Sequence, residues 1–338
     1  MELTTFWFMV IAFLWVGYLF LEGFDLGVGM LMKLFARDER ERRVLLNTIG
    51  PVWDGNEVWL ITAGAMTFAA FPFWYAALFS ALYLPLTLVL LGLIFRAVSI
   101  EYRGKRDSDR WRNRWDWAMA LGSFVSAFGV GAALALTSTG LPLNENGDRV
   151  GGAFAWLTPW AVLGGLAVVG FALVHACAFL MLKTGGEIRA RARRAVVRWL
   201  PVGVLPLAAW AIGVQFTSGE LMSLIPLAVA VAALVVAWLM AYRGKEALSF
   251  AALGAFLLFG AVSIFAAMYP VVLPSSLDAA WNLTIDNASS SPYTLKVMTW
   301  VSVFGLPVVL VYQGWTYWVF RKRVTAESIP GVHKVKVQ

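Results

Sequence analysis

Gly50–Leu60 reads GPVWDGNEVWL, and the chain continues through Phe71 as ITAGAMTFAAF. Two carboxylates and an asparagine thus open an otherwise hydrophobic run. Pro51 suits the first position of a helix, where its missing N–H would be unpaired anyway, and Asn47 or Thr48 is placed to cap that helix. A helix is therefore expected from about residue 50. Asp54 and Glu57, three apart, then share a face near the helix start, where the dipole favours negative charge. As plain N-terminal carboxylates they need no further role. The apolar continuation argues for one, because acidic residues inside a membrane span are rare and face a water path or a partner.

Outward from this stretch the chain is apolar nearly throughout. Of its 338 residues 60% are hydrophobic and only 14% charged, outside the range of soluble domains, so the fold class expected is all-α and polytopic. Runs able to cross a bilayer, which takes about 20 residues, fall at 6–32, 50–71, 73–101, 115–137, 155–182, 196–217, 221–242, 246–269 and 293–320: nine spans. Residues 1–29 lack a positive n-region and a small-residue cleavage site, so they are read as an uncleaved first span. Of the 27 Lys and Arg, 25 lie in alternate connections, with only Arg149 and Lys296 on the other side. The positive-inside rule then puts the N-terminus outside and the C-terminus in the cytoplasm. It also accounts for the net charge of +7 without nucleic acid.

This topology sets depth. From Phe6 to Asp25 is nineteen residues, about 28 Å of helix, which brings Glu22 and Asp25 to the level of Asp54 and Glu57 near the cytoplasmic face. Four carboxylates at one inner mouth suit proton uptake. The plainer alternative is that Glu22 and Asp25 reach the headgroups and pair with Lys33 or Arg37. Gly23, Gly27 and Gly29 give α-helical residues around Asp25 a small-residue packing face. Arg96, Glu101 and Tyr102 close the third span and are expected to reach outward to the interface. In WRNRWDW, Trp111–Trp117, Asp116 is expected to pair with a neighbouring arginine. His175 is the one histidine within a span, the other being His333 in the tail; it is either a haem ligand or, more commonly for such groups, a hydrogen-bonding link between helices. Cys177, the single cysteine, is read as a small core residue. YRGK recurs at Tyr102–Lys105 and Tyr242–Lys245, compatible with two four-helix bundles plus a ninth helix: 1–137, 150–269 and 290–322, then a cytoplasmic tail 323–338.

Together the stretches LEGFDLGVGML (Leu21–Leu31), NTIGPVWDGNEVWLITAGAMTFAAFP (Asn47–Pro72), FRAVSIEYRGK (Phe95–Lys105), WRNRWDW and VMTW (Val297–Trp300) resemble subunit II of the cytochrome bd-type quinol oxidases. The resemblance covers nearly the whole chain in order and is densest in the first four spans. It implies a bacterial plasma-membrane complex that oxidises quinol, reduces oxygen to water and draws protons from the cytoplasm. It further implies that haem b and haem d, with the quinol-oxidising site, belong to a partner, subunit I, and that no metal is ligated by this chain. Two histidines are in any case too few for the two b-type haems and one d-type haem the resemblance implies, with ordinary axial ligation. Carried over by motif, Asp54 matches a proton-path aspartate, Trp59 lies at the mouth of an oxygen channel, and Asp25 matches the acid of the GFD signature. Some members hold a structural quinone, and membrane lipids and a small accessory subunit are further partners the resemblance leaves open.

Two other classes of function are compatible with the spans alone. A secondary transporter or proton-coupled carrier would use internal carboxylates and repeats, but would need broken helices at mid-membrane. A structural partner would use the same acids as caps and ion pairs, and Trp59 as packing.

Overall fold

A computed structural model describes residues 2–325 and Glu327. His333 and most of the expected tail 323–338 lie outside these. Among the described residues there are twelve α-helices: α1 (Leu3–Leu34), α2 (Glu39–Ile49), α3 (Trp53–Ala70), α4 (Pro72–Ala81), α5 (Tyr83–Tyr102), α6 (Asp109–Thr139), α7 (Pro159–Lys183), α8 (Gly186–Gly203), α9 (Leu205–Ser218), α10 (Leu221–Tyr242), α11 (Glu246–Met268) and α12 (Pro292–Val319). Eight segments are long and apolar enough to cross a membrane: α1, α5, α6, α7, α8 with α9, α10, α11 and α12. The expected span at 50–71 corresponds to α3, of 18 residues, whose carboxylates and asparagine dilute its apolar character.

Several boundaries differ from the sequence-based expectation, each for a local reason. Asn47 and Thr48 cap nothing: they sit in the last turns of α2, where Thr48 Oγ1 donates to Leu45 O at 2.6 Å. Pro51 falls in the turn between helices, and α3 starts at Trp53 without a side-chain cap. The third expected span is two helices, because the chain breaks at Leu82 between α4 and α5. The arginine-rich stretch before the sixth span is helical as well. In α8, Ile188, Ala192, Val196 and Leu200 recur every four residues and are buried, giving the basic segment an apolar stripe.

Helices α6 and α7 lie at the centre, with α1 packed against α7, α6 and α3, and α10 paired with α11. Contact between α1 and α7 is close enough to require glycine. A Cβ on Gly27 would stand 2.0 Å from the Ala172 carbonyl oxygen, so small residues here let two backbones touch. At one end of the bundle the loops fold into a lid. β1 (Val271–Leu273) pairs antiparallel with β2 (Leu283–Thr284), and Leu141 and Leu143 join Leu273, Leu283, Trp7, Phe71 and Trp74 in an apolar cluster. The opposite, basic end is laced by ion pairs. Arg103 grips Glu39 (2.6 and 2.8 Å) and Asp116 (2.5 Å), while Arg191 grips Glu41 (2.7 and 3.0 Å). Asp116 is thus held by Arg103, with Arg42 at 3.6 Å, and not by the arginines beside it in sequence. By contrast α12 buries only Leu295 among its 28 residues.

Candidate functional site

Glu22 and Asp25 are one turn apart on α1, and both are completely buried. Between them and α3 comes a residue from a third helix, Arg96 of α5, also completely buried. Its Nη1 lies 2.9 Å from Glu22 Oε1 and donates to Glu57 Oε2 at 3.2 Å. The expectation that Arg96 would reach outward to the interface is therefore wrong. Buried carboxylates offer it a partner, and an unpaired guanidinium inside the bundle would be far costlier than one so placed. Neither Glu22 nor Asp25 uses Lys33 or Arg37: Lys33 donates to Asn113 at 2.7 Å and Arg37 pairs with Glu187 at 2.6 Å.

Asn56, at the middle of the opening stretch, is the second organising residue. Its Nδ2 donates to Asp25 Oδ2 at 2.6 Å and to Leu21 O at 3.3 Å. Its Oδ1 accepts from Tyr317 Oη at 2.7 Å and Gln313 Nε2 at 3.0 Å, both from α12. Apart from Glu22 Oε1, which meets Arg96 Nη1, the buried polar atoms of the group that make no hydrogen bond are Glu22 Oε2, Asp25 Oδ1, Arg96 Nε and Nη2, and Tyr18 Oη.

Of the residues singled out from sequence, Glu22 and Glu57 meet on Arg96, and Asp25, one turn from Glu22, is held by Asn56. Asp54 does not join the contact; it stands exposed in the first turn of α3, three residues before the half-buried Glu57. Burial therefore increases in the order Asp54, Glu57, then Glu22 and Asp25. Trp59 is buried against α1, its ring filling the space beside Gly17, where a Cβ would fall 2.2 Å from the indole, and it meets Phe13 edge-on at 6.0 Å. Arg96, Asn56, Tyr317 and Gln313 were not singled out as site residues by the sequence.

His175 joins helices. Its Nε2–H donates to Phe20 O at 2.9 Å, and the ring is stacked between Phe250 (4.8 Å) and Phe171 (5.0 Å) with no exposed surface. An imidazole so enclosed, with Nε2 engaged, does not fit axial ligation of a haem. Among the described residues no three His, Cys, Asp or Glu side chains are grouped to hold a metal ion.

Residues 3–320 match the family model of cytochrome bd terminal oxidase subunit II. The chain belongs to this family. It is 39% identical over 326 residues to cytochrome bd ubiquinol oxidase subunit 2 of Bacillus subtilis, covering 94% of this chain and 96% of that one. With cytochrome bd-I ubiquinol oxidase subunit 2 of Escherichia coli K12 it shares 36% identity over 361 residues, covering 96% and 95%. The bd oxidase structure from Geobacillus thermodenitrificans superimposes with a TM-score of 0.78 at 18% identity, over 95% of this chain and all of that one, a likeness of fold. The chain is thus a multi-pass bacterial membrane protein and a subunit of a haem-containing terminal oxidase, working in complex with subunit I. The comparisons give the transporter reading no support.

Proposed function

We propose that this chain is the subunit of a quinol:oxygen oxidoreductase that brings protons to the haem-bearing subunit I, through Asp54, Glu57, Glu22 and Asp25. One observation carries the proposal: three carboxylates from two helices, two of them fully buried, gather where a single guanidinium pairs with Glu22 and Glu57, Asp25 lying one turn from Glu22 on α1. Fully ionised, the group would hold two uncompensated negative charges in apolar surroundings, a costly state that bound protons relieve. Asp54 on the surface and Glu57 below it form the approach, and Glu22 Oε2 and Asp25 Oδ1 are acceptors at its inner end. Arg96 keeps Glu22 and Glu57 together, and Asn56 holds Asp25 beside them.

In the same reading the quinol-oxidising site and the haems reside on subunit I, protons come from the cytoplasm and oxygen is reduced to water. Trp59 lines an oxygen route toward the partner. The "ubiquinol oxidase" names of the relatives support the quinol assignment, and the enclosed His175 supports placing the haems elsewhere. Lipids, a structural quinone or a small accessory subunit would bind without taking part in this route.

The test is oxygen uptake per haem in the assembled complex carrying Asp54→Asn. Losing one exposed charge near a helix start costs only about 0.3–1 kcal/mol of stability, so assembly and haem content should persist while turnover falls severalfold, with Asp54→Glu recovering part of it. Wild-type turnover in Asp54→Asn would remove Asp54 from the route; equal losses of turnover and haem content would reduce it to a structural residue.

A further inference from the structure

The geometry points to a binding site for the phosphate headgroup of an anionic phospholipid, in a groove at the basic end of the bundle between the end of α1, α8 and the end of α10. The groove encloses about 1200 Å³, and its lining includes Arg37, Arg191, Arg193, Arg194, Arg198 and Trp199 but no Asp or Glu. Two of the arginines are already neutralised, Arg37 by Glu187 and Arg191 by Glu41. Three are not. Arg193 spends its donors on main-chain carbonyls, reaching Ala241 O at 2.9 Å and also Tyr242 O, which fastens it to the end of α10 without cancelling its charge. Arg194 and Arg198, exposed and one turn apart on α8, have no ion pair among the described residues. Arg198 lies 5.2 Å from the ring of Trp199.

Three uncompensated guanidinium groups around one groove repel one another and together present planar donor forks, the arrangement that phosphate oxygens satisfy. A soluble phosphate would use only that half of the site. The rim continues directly into exposed apolar surface, with Leu34 at the end of α1 and Trp199, Val202 and Leu205 along α8 and α9, and Trp199 and Tyr242 are residue types that settle at headgroup level. A molecule with a phosphate at one end and acyl chains at the other matches both halves. Basic pockets between spanning helices are where such headgroups bind. The site involves none of the carboxylates on α1 and α3.

The experiment uses the intact detergent-purified complex. Retention of phosphatidylglycerol and of phosphatidylcholine with the same acyl chains is counted by native mass spectrometry for the wild type, for Arg194→Gln/Arg198→Gln, and for Arg110→Gln/Arg114→Gln. The last pair is also exposed and one turn apart, but on α6. The wild type should retain phosphatidylglycerol over phosphatidylcholine. The α8 variant should bind phosphatidylglycerol on the order of tenfold more weakly, the α6 variant as the wild type does, and glycerol phosphate at millimolar concentration should not compete. Equal retention of the two lipids by the wild type, undiminished retention by the α8 variant, or equal loss in the α6 variant would overturn the site. Full competition by glycerol phosphate would replace the lipid with a soluble phosphate ligand and overturn the proposal in that form.

Discussion

Asn56 donates to Asp25 at 2.6 Å while its own side-chain oxygen accepts from Tyr317 and Gln313, so one amide ties α1, α3 and α12 together. The two donors from α12 decide which way the amide faces, and hence that Asp25 meets an N–H and not a carbonyl. Tyr317→Phe leaves Gln313 in place and should cost about 0.5–1.5 kcal/mol. Asn56→Ala strands the carboxylate and both α12 donors at once and should cost several times more, with α12 loosened from the bundle. Thermal unfolding of the two variants side by side checks the ranking; equal losses would show that the amide does not carry the tie.

Arg96 separates structure from conduction. Arg96→Gln leaves Glu22 and Glu57 buried without a counter-charge, and removing one partner of a buried ion pair typically costs about 3–5 kcal/mol. Adding Glu22→Gln to that variant should restore much of the stability, giving a coupling energy above 1 kcal/mol in a double-mutant cycle. Additive losses would mean that the 2.9 Å contact contributes little.

Trp59 can be reached without touching it. Gly17→Ala would place a methyl group inside the indole ring's present position, so the ring must move while its own chemistry is kept. If Trp59 lines the oxygen route, Gly17→Ala and Trp59→Phe should both shift the apparent KM for oxygen by several-fold and leave that for quinol unchanged. Shifts in both constants, or in neither, would make the indole a packing residue.

Glu41 provides a pH-dependent test outside the spans. Partial burial pushes its carboxyl upward, but hydrogen bonds from Arg191 and the Arg37 backbone, with the Arg191 charge, prevail and hold it below the ordinary carboxylate range. A lowered carboxylate stabilises the fold fully above its unfolded pKa, about 4.3, and loses that contribution as pH falls through the lowered value. Thermal midpoints followed from pH 7 to pH 3 should fall more steeply for the wild type than for Glu41→Gln. Parallel curves would deny the Glu41–Arg191 pair this role.

Much of the helical framework was legible because a bilayer demands long apolar runs with polar punctuation, and such runs stand out in any reading of the chain. The breaks at Leu82 and Val204 were not, since nothing in PFWYAALFSALYL or its counterpart interrupts apolarity. The basic stretch of α8 reads as a connection because its charge masks the four-residue spacing of Ile188, Ala192, Val196 and Leu200. At the candidate site, depth alone put four acids at one level, and three of them, Glu22, Asp25 and Glu57, come together while Asp54 stays exposed. Their counter-ion could not be read that way: Arg96 stands near a helix end, where arginine commonly extends to the interface, and only the tertiary arrangement shows that its neighbours are Glu22 and Glu57. Asn56 was hidden for a similar reason, because an amide set between two carboxylates carries no sign of which helix it faces.

The contact of Gly27 with the Ala172 carbonyl constrains how the proposed proton route could work. Displacing α1 by a single residue would bring Leu26 or Val28 to the point where even one methyl group does not fit. A helix seated in this way has no ratchet available to it, so Glu22 and Asp25 cannot be ferried between two faces as cargo in a carriage. Any charge that passes them must hop along fixed rails, by rotation of side chains and relay of hydrogen bonds, while the backbone beneath stays still.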